Sequence, residues 1–450
     1  MDVLGLTSTV PSATQTPIPV HSRLLRRFSE AVIFEEALST ACQKDPVSLG
    51  KAPVEPHVDP SDDAERAFKS YVNKLAHVCD KRRGGTTVTG IAILQDAEHI
   101  YYFIGSNKRS TADLAQMEEF LHPLFRLVQS PQPCSADNAS FFASILHHII
   151  RFNRRRIQTY LNQLYKHIGL CVSSLESEHV QASWTVKSGQ LKTSLIELGS
   201  RISRLESKTL PENGEEEISS LADIIMFIHD MHIRGHGERS RLRAYHVSTQ
   251  SIISAHNCWP HLFEDVRIVT VPSSTPYLNP LIKGKTVTAS QMLGRMVAPT
   301  EIELRRAEAK QLERFGLDNI FHTACNAESF TPLVHGEVLV HDFVSTYLLE
   351  NPDTSYCHGL RYVGSSKPTC RLCSYYFYEV GDVGVRESHG NLYSRWRAPD
   401  VFDEEAAKRR DGILNAMVEM IRKDALRTLS SKLPRGLQRK LQLLPCQLII

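Results

Sequence analysis

The spacing of apolar residues changes several times along the chain. In DDAERAFKSYVNKLAHVCDK they fall at Ala67/Phe68, Tyr71/Val72, Leu75 and Val78/Cys79, one face of a helix with Ser61 placed to cap its start. The Gly84-Gly85 pair breaks that pattern. Two β-branched, apolar runs follow, Thr86–Leu94 and His99–Gly105, separated by a short polar break; they predict a β-hairpin. Residues 111–315 are dominated by helical spacing, with candidate helices at Thr111–Gln129, Asn138–Leu175, Thr193–Ser207, Ile218–His236 and Glu301–Phe315. Ile252–Val271 and the Pro/Ser-rich VPSSTPYLNP read as irregular, and no repeat of fixed period is visible.

From Leu333 helix and strand signals alternate again. His335–Leu349 is a helix candidate stopped at Asn351-Pro352-Asp353, and Leu360–Gly364 is a short strand. Pro368–Val380 reads as a second helix with Pro368 in its first turn. DVGVRES reads as a further strand, HGNLYSRWRAP as a loop, and Asp403–Leu429 as a long helix. Near the N-terminus, Leu24–Ala41 fits one helix, followed by the linker-like PVSLGKAPVEPHVDPSDD. The pattern divides the chain into a peripheral segment (1–60), a helix and hairpin (61–110), an all-α insertion (111–325), a second α/β part (326–430) and a tail (431–450). The fold class expected is α/β.

Composition excludes several alternatives. Hydrophobic residues at 42% and charged residues at 23% are ordinary for a globular chain. A net charge of +2 provides no global basic field for nucleic acid. Ten cysteines in 450 residues are too dilute for a disulfide scaffold. No secretory signal and no run near the roughly 20 apolar residues of a membrane span is present. The expectation is a cytoplasmic or nuclear protein in a reducing setting, without a membrane partner.

The chemistry concentrates in VHGEVLVHDFVSTYLLENPDTSYCHGLRYVGSSKPTCRLC, residues 334–373. Among the cysteines, Cys370 and Cys373 have metal-ligand spacing, and His335 brings the ligand count to three. Three protein ligands with one open position are typical of catalytic zinc. Helix N-termini at both sets of ligands favour the thiolate form that zinc needs. Glu337, two residues past the histidine, has the chemistry to accept a proton from water activated by Zn2+ and pass it to a leaving amine.

With these residues the chain resembles the zinc-dependent cytidine/nucleobase deaminase superfamily, whose signature is H-x-E followed by P-C-x-x-C with the glutamate not a ligand. HGE at 335–337 matches the first motif and CRLC at 370–373 the second. The helix from Asp62 and the hairpin resemble the opening units of that three-layer α-β-α fold. The closest likeness is to a poorly characterised fungal deaminase-like group with the same early hairpin, long helical insertion and late HGE…SKPxCxxC block. The resemblance implies zinc held by His335, Cys370 and Cys373, Glu337 as the catalytic proton carrier, and Asn107, after the second hairpin strand, as a residue that binds the substrate ring. The substrate it implies is a nucleobase in a nucleoside, a nucleotide, RNA or DNA, and relatives often form oligomers. Three departures stand out: Thr369 lies between the proline and the first cysteine, Gly336 replaces the usual alanine, and about 220 residues separate hairpin and H-x-E, where connections are usually short.

Other readings stay open at this level. Cys357 or His358 can serve as a fourth ligand of a closed structural zinc, or the cysteines can form a metal-free dithiol. His341 and His389 can line the site or lie elsewhere, and Tyr393 and Trp396 can stack on a base or pack in the core. The basic clusters RFNRRR (151–156) and HIRGHGERSRLR (232–243) suit a polyanion surface, a solvated helix face or a protein contact. The contrasting function is a non-catalytic scaffold that keeps zinc for stability and binds partners through the helical block.

Overall fold

The β-branched runs near residue 90 form the hairpin they predict, strands β1 (Thr89–Gln95) and β2 (Ile100–Ser106), paired antiparallel from Thr89↔Ser106 to Gln95↔Ile100. The computed structural model describes residues 16–44, 63–130, 138–175, 186–207, 211, 213–231, 238–281 and 287–435. The linker expected at 46–62, the Ser61 cap, part of the 232–243 basic cluster and most of the tail lie outside them. Around the hairpin lie a mixed sheet and a helical majority.

Before the hairpin come α1 (Ser22–Gln43) and α2 (Asp63–Cys79). After it come α3 (Thr111–Gln129), α4 (Asn138–Leu175), α5 (Val186–Ser207), α6 (Glu215–Asp230) and α7 (Glu238–Cys258). Next are β3 (Val266–Val271), α8 (Ala289–Leu293), α9 (Ile302–Leu312) and α10 (Leu317–Cys325). The last part holds α11 (Gly336–Glu350), β4 (Ser355–Tyr356), β5 (Tyr362–Ser365), α12 (Arg371–Val380), β6 (Gly384–Val385) and α13 (Glu404–Ser431).

The sheet order is β3-β2-β1-β5-β6, with β4 also on β1. β1 runs antiparallel to β2, β4 and β5, whereas β3 is parallel to β2 and β6 parallel to β5. Side chains alternate across a strand, and β1 shows it. Ile91 and Ile93 enter the core shared with α2, while Ala92 and Leu94 enter the core shared with Val340 and Val344 of α11. Helices therefore cover both faces of the sheet.

Close backbone approach sets those helices on the strands. A Cβ at Gly364 of β5 would lie 2.6 Å from Val72 on α2. On the other face, a Cβ at Gly90 would lie 2.8 Å from both Glu337 Cα and Gly336 O, and one at Gly105 would lie 2.8 Å from Val340 Cγ2. The hairpin glycines thus seat the first turn of α11 against bare backbone. Gly90→Ala forces that turn off the sheet, and overpacking of this kind costs about 1–3 kcal/mol; urea unfolding should show a lower midpoint. An unchanged midpoint would mean the approach relaxes freely.

The block between hairpin and H-x-E corrects the expectation of an all-α insertion. It is not all-α, because Ile252–Val271, expected as irregular, holds the end of α7 and the whole of β3. It also packs against the rest of the chain. Residues of α3–α7 share one apolar cluster with Tyr71, Leu75, Ile91 and Tyr102. Asp80, fully buried after α2, pairs with Arg156 of α4 at 3.2 Å and accepts hydrogen bonds from Thr87 at 2.6 Å and Ser366 at 3.3 Å. One carboxylate thereby ties together α2, the hairpin, the loop before α12 and the helical block. Arg151 and Arg154 of the same basic cluster are paired with Glu215 and Glu217. No helix of the described residues is long and apolar enough to cross a membrane.

The N-terminal helix differs from expectation as well. α1 was placed in a peripheral segment, yet Phe34, Leu38 and Ala41 are fully buried against α10 and α13, and Glu35 has no exposed surface.

Candidate metal centre

Two helix starts converge on one point. His335 is the residue before the first turn of α11, with extended backbone (φ −75°, ψ 151°), and its side chain makes no capping hydrogen bond. The cap comes instead from Asn107, whose Oδ1 accepts from Gly336 N at 2.6 Å. Asn107 Nδ2 donates to Gly85 O at 2.8 Å. The residue that follows β2 therefore satisfies the helix end, and the His335 imidazole is left to point elsewhere.

Cys370 occupies the equivalent position on α12 (φ −75°, ψ 164°), and its sulfur accepts from Cys373 N at 3.4 Å. The helix therefore begins at Arg371, not at Pro368 as the sequence suggested; Pro368 lies in the loop before it. Thr369, the residue that parts proline from cysteine, is pinned in that loop. Its N–H donates to Glu387 O at 3.1 Å, its hydroxyl donates to Arg386 O, and its carbonyl accepts from His389 N at 3.1 Å. The extra residue is thus an anchored one.

His335 Nδ1 lies 3.4 Å from Cys370 Sγ and 3.3 Å from Cys373 Sγ. The three donor atoms fall within 4.8 Å of one another, and all three residues are buried. Cys357 and His358 do not join them, so the fourth ligand of a closed zinc site, as read from the sequence, is not supplied from there. Glu337 follows in the first turn of α11, 3% exposed, with Oε2 buried and without a hydrogen-bond partner among the described residues. A buried carboxylate oxygen without a hydrogen bond is costly to hold, and the Glu337 carboxyl otherwise meets the Cys373 thiol of the cluster.

The charges fit a cation. Burial raises the Cys370 thiol, but the Cys373 hydrogen bond and His335 outweigh it and hold Cys370 well below the usual thiol range. Burial and the neighbouring Cys370 push Cys373 well up. Burial lowers the His335 imidazole, yet Cys370 and Glu337 carry it above its ordinary value. Burial also raises Glu337, with His335 opposing it. Two cysteine sulfurs this close favour one thiolate over two, and a dication among the donors removes that conflict. One nitrogen and two sulfurs form a donor set suited to zinc and unsuited to magnesium or calcium.

Gly336, where the resemblance led us to expect alanine, has a local cause. A Cβ there would lie 2.9 Å from Val88 O and 3.2 Å from Gly105 O. The helix that follows His335 thus begins directly on the hairpin backbone.

Sequence reasoning missed Arg371, the residue between the two cysteines. It is 2% exposed, donates from Nη1 to Glu35 of α1 at 2.7 Å and Asp424 of α13 at 3.3 Å, and from Nε to Gly390 O at 2.9 Å. Tyr375 donates to the same Asp424. An arginine in a motif reads as solvent-facing; its only signal was the presence of acids in two distant helices. His341 is buried and lies 3.2 Å from Asp382, away from the cluster. Trp396 packs on Phe28 and Tyr376 and belongs to the core, whereas Tyr393 is exposed. His389 Nδ1 accepts from Asn391 N at 3.0 Å within its loop.

Asp342 on α11 provides a pH-dependent test of this packing. Burial and the nearby Asp400 raise its carboxyl to about 7, with Arg397 opposing them. A carboxyl raised in the folded state favours folding while protonated, and that contribution is lost as pH rises from about 4 towards 7. Asp342→Asn should therefore stabilise the protein more at pH 8 than at pH 5, by about 2–4 kcal/mol at the upper end. Equal gains in urea melts at the two pH values would remove burial as the cause.

The family model described as "OTT_1508_deam:-like deaminase" matches residues 334–400. No curated protein and no solved structure gives a significant match. The matched stretch spans His335, Glu337, Cys370 and Cys373, so this part of the chain, a minor fraction of its length, is similar to a deaminase family over the whole of the candidate metal centre.

Proposed function

We propose that the protein is a zinc-dependent hydrolytic deaminase acting on a nucleobase carried in a nucleoside, nucleotide or nucleic acid, built on a three-layer cytidine deaminase-like core and related to the fungal deaminase-like group. The observation that carries this reading is the unpartnered Oε2 of Glu337 beside three convergent metal-ligating side chains. A site kept for stability alone has no use for that carboxylate. The deaminase family match over the same residues supports it further.

In this reading His335, Cys370 and Cys373 hold the zinc. When bound, zinc supplies the Lewis acidity that makes water a nucleophile near neutral pH. Glu337 would take one proton from the attacking water and pass it to the ring nitrogen, then take the remaining proton from the hydroxyl of the adduct and pass it to the amine, which leaves as ammonia as the C–N bond breaks and the carbonyl forms. Burial of Glu337 keeps it from bulk water and raises its carboxyl, which suits a group that accepts a proton and hands it on. Asn107 joins the residues after the hairpin to the start of the helix that carries Glu337. Its carboxamide fixes the start of α11, and we assign to it the orientation of the substrate ring as well.

The test is ammonia release by the zinc-loaded full chain from cytidine, adenosine, their nucleotides, single-stranded DNA and RNA. Release from at least one of these, lost on chelation and restored by zinc, is expected. Full zinc loading with no release from any of them would instead favour the scaffold reading.

A further inference from the structure

A second group of metal-ligating side chains lies apart from the centre at His335. His261, Cys357 and His358 bring two imidazole nitrogens and one sulfur within 4.8 Å of one another. His261 stands in the tight turn Pro260–Phe263 that leads from α7 into β3. Cys357 and His358 stand in the turn Cys357–Gly359, between β4 and β5. The donors therefore come from two separate parts of the chain, the block between hairpin and H-x-E and the part that carries the HGE and CRLC motifs.

Three features suit an ion there. Cys357 is fully buried and both histidines are exposed, which gives a dry sulfur and an open path from solvent. His358 adopts φ 56°, ψ 18°, a left-handed conformation unfavourable to a residue with a Cβ. That conformation sets its ring edge-on to His261, centroids 5.2 Å apart and planes at 86°. Trp259 and Phe68 wall the same ring, at 5.8 and 5.5 Å. Two imidazoles and a thiolate select zinc-class transition ions over magnesium or calcium.

The geometry points to a second metal site, formed by His261, Cys357 and His358, that takes a divalent ion of the zinc class and clips the helical block to the sheet half that carries the first centre. On binding, the Cys357 S–H bond breaks, a sulfur–metal bond forms and the proton is released to solvent. Three protein donors leave one position for water or an exogenous ligand.

The experiment is a Co2+ titration of the full chain, stripped of metal under reducing conditions. Wild type is compared with His261→Ala, Cys357→Ser and the Cys370→Ser/Cys373→Ser double variant. Wild type is expected to take one more ion than His261→Ala or Cys357→Ser, or to bind that ion at least tenfold more tightly. The double variant should keep this ion, seen as a sulfur-to-cobalt absorption band together with partial quenching of tryptophan fluorescence through Trp259. His261 is exposed, so its alanine variant leaves the core untouched, and circular dichroism verifies the fold. Equal cobalt binding by wild type and His261→Ala would overturn the second site, whatever the His335 centre does. Loss of cobalt in the double variant alone would do the same. Because the deciding comparison leaves His335, Cys370 and Cys373 intact, failure here and failure of the deaminase reading are separate results.

Discussion

Glu337→Gln should retain zinc and lose ammonia release by about 10²–10⁴-fold, the usual range for removal of a general acid–base. The amide is isosteric, and Glu337 is not one of the three clustered donors, so metal content measured by elemental analysis should stay at the wild-type level. Burial holds the carboxyl ready to carry a proton, and glutamine cannot do so. Glu337→Asp separates chemistry from bulk: it keeps the acid but withdraws it from the cluster, and an intermediate rate is expected. If Glu337→Gln loses zinc as well as activity, the carboxylate is a ligand and the proposed division of labour fails. If it remains fully active, the proton carrier is another group.

The second large effect is on stability. Arg371→Ala leaves Glu35, which has no exposed surface, and the nearly buried Asp424 without their shared cation. Breaking a buried pair from one side costs about 3–5 kcal/mol. The loss should appear as a lower urea midpoint. It should be partly recovered by adding Glu35→Gln, because the second change removes a stranded charge. Arg371→Lys should restore the charge but not the fork that reaches Glu35, Asp424 and Gly390 at once. Since Arg371 lies between Cys370 and Cys373, zinc affinity should fall about 10–100-fold in the alanine variant, as for other outer-shell supports. A midpoint within error of wild type would show that the network is not supporting the metal helix.

These expectations rest on residues of very different visibility in the sequence. Cys370 and Cys373 could be named from their spacing and His335 from the HGE triplet, and the structure brings their donor atoms within 4.8 Å of one another. α3 was also plain, as Ser110 and Asp113 form a capping box at the start of a regular apolar face. α7 was missed because it buries polar residues: Ser248 and Thr249 are fully buried and His246 nearly so, which blurs the apolar stripe. β3 was missed because a six-residue strand between a helix and a proline-rich stretch is a weak local signal, and its partner β2 lies far upstream. Charged residues were the hardest. Glu35, Asp80 and Arg371 are all buried, and each is tolerated inside only because an opposite charge arrives from a distant helix or loop, which no local pattern reports.

β3 has a consequence for how copies of this chain can meet. Without it, β2 would present its outer backbone N–H and C=O groups to solvent, a template for strand exchange or aggregation. β3 pairs with β2 over six residues, Ile100–Gly105 with Val266–Val271, and so covers nearly all of that edge. At the opposite edge β6 is only two residues long, too short to recruit another strand. β3 is now the outermost strand on that side, so among the described residues the sheet ends in a six-residue edge at β3 and a two-residue edge at β6, and continuation of the sheet from one molecule into the next has the β3 side as its longer template.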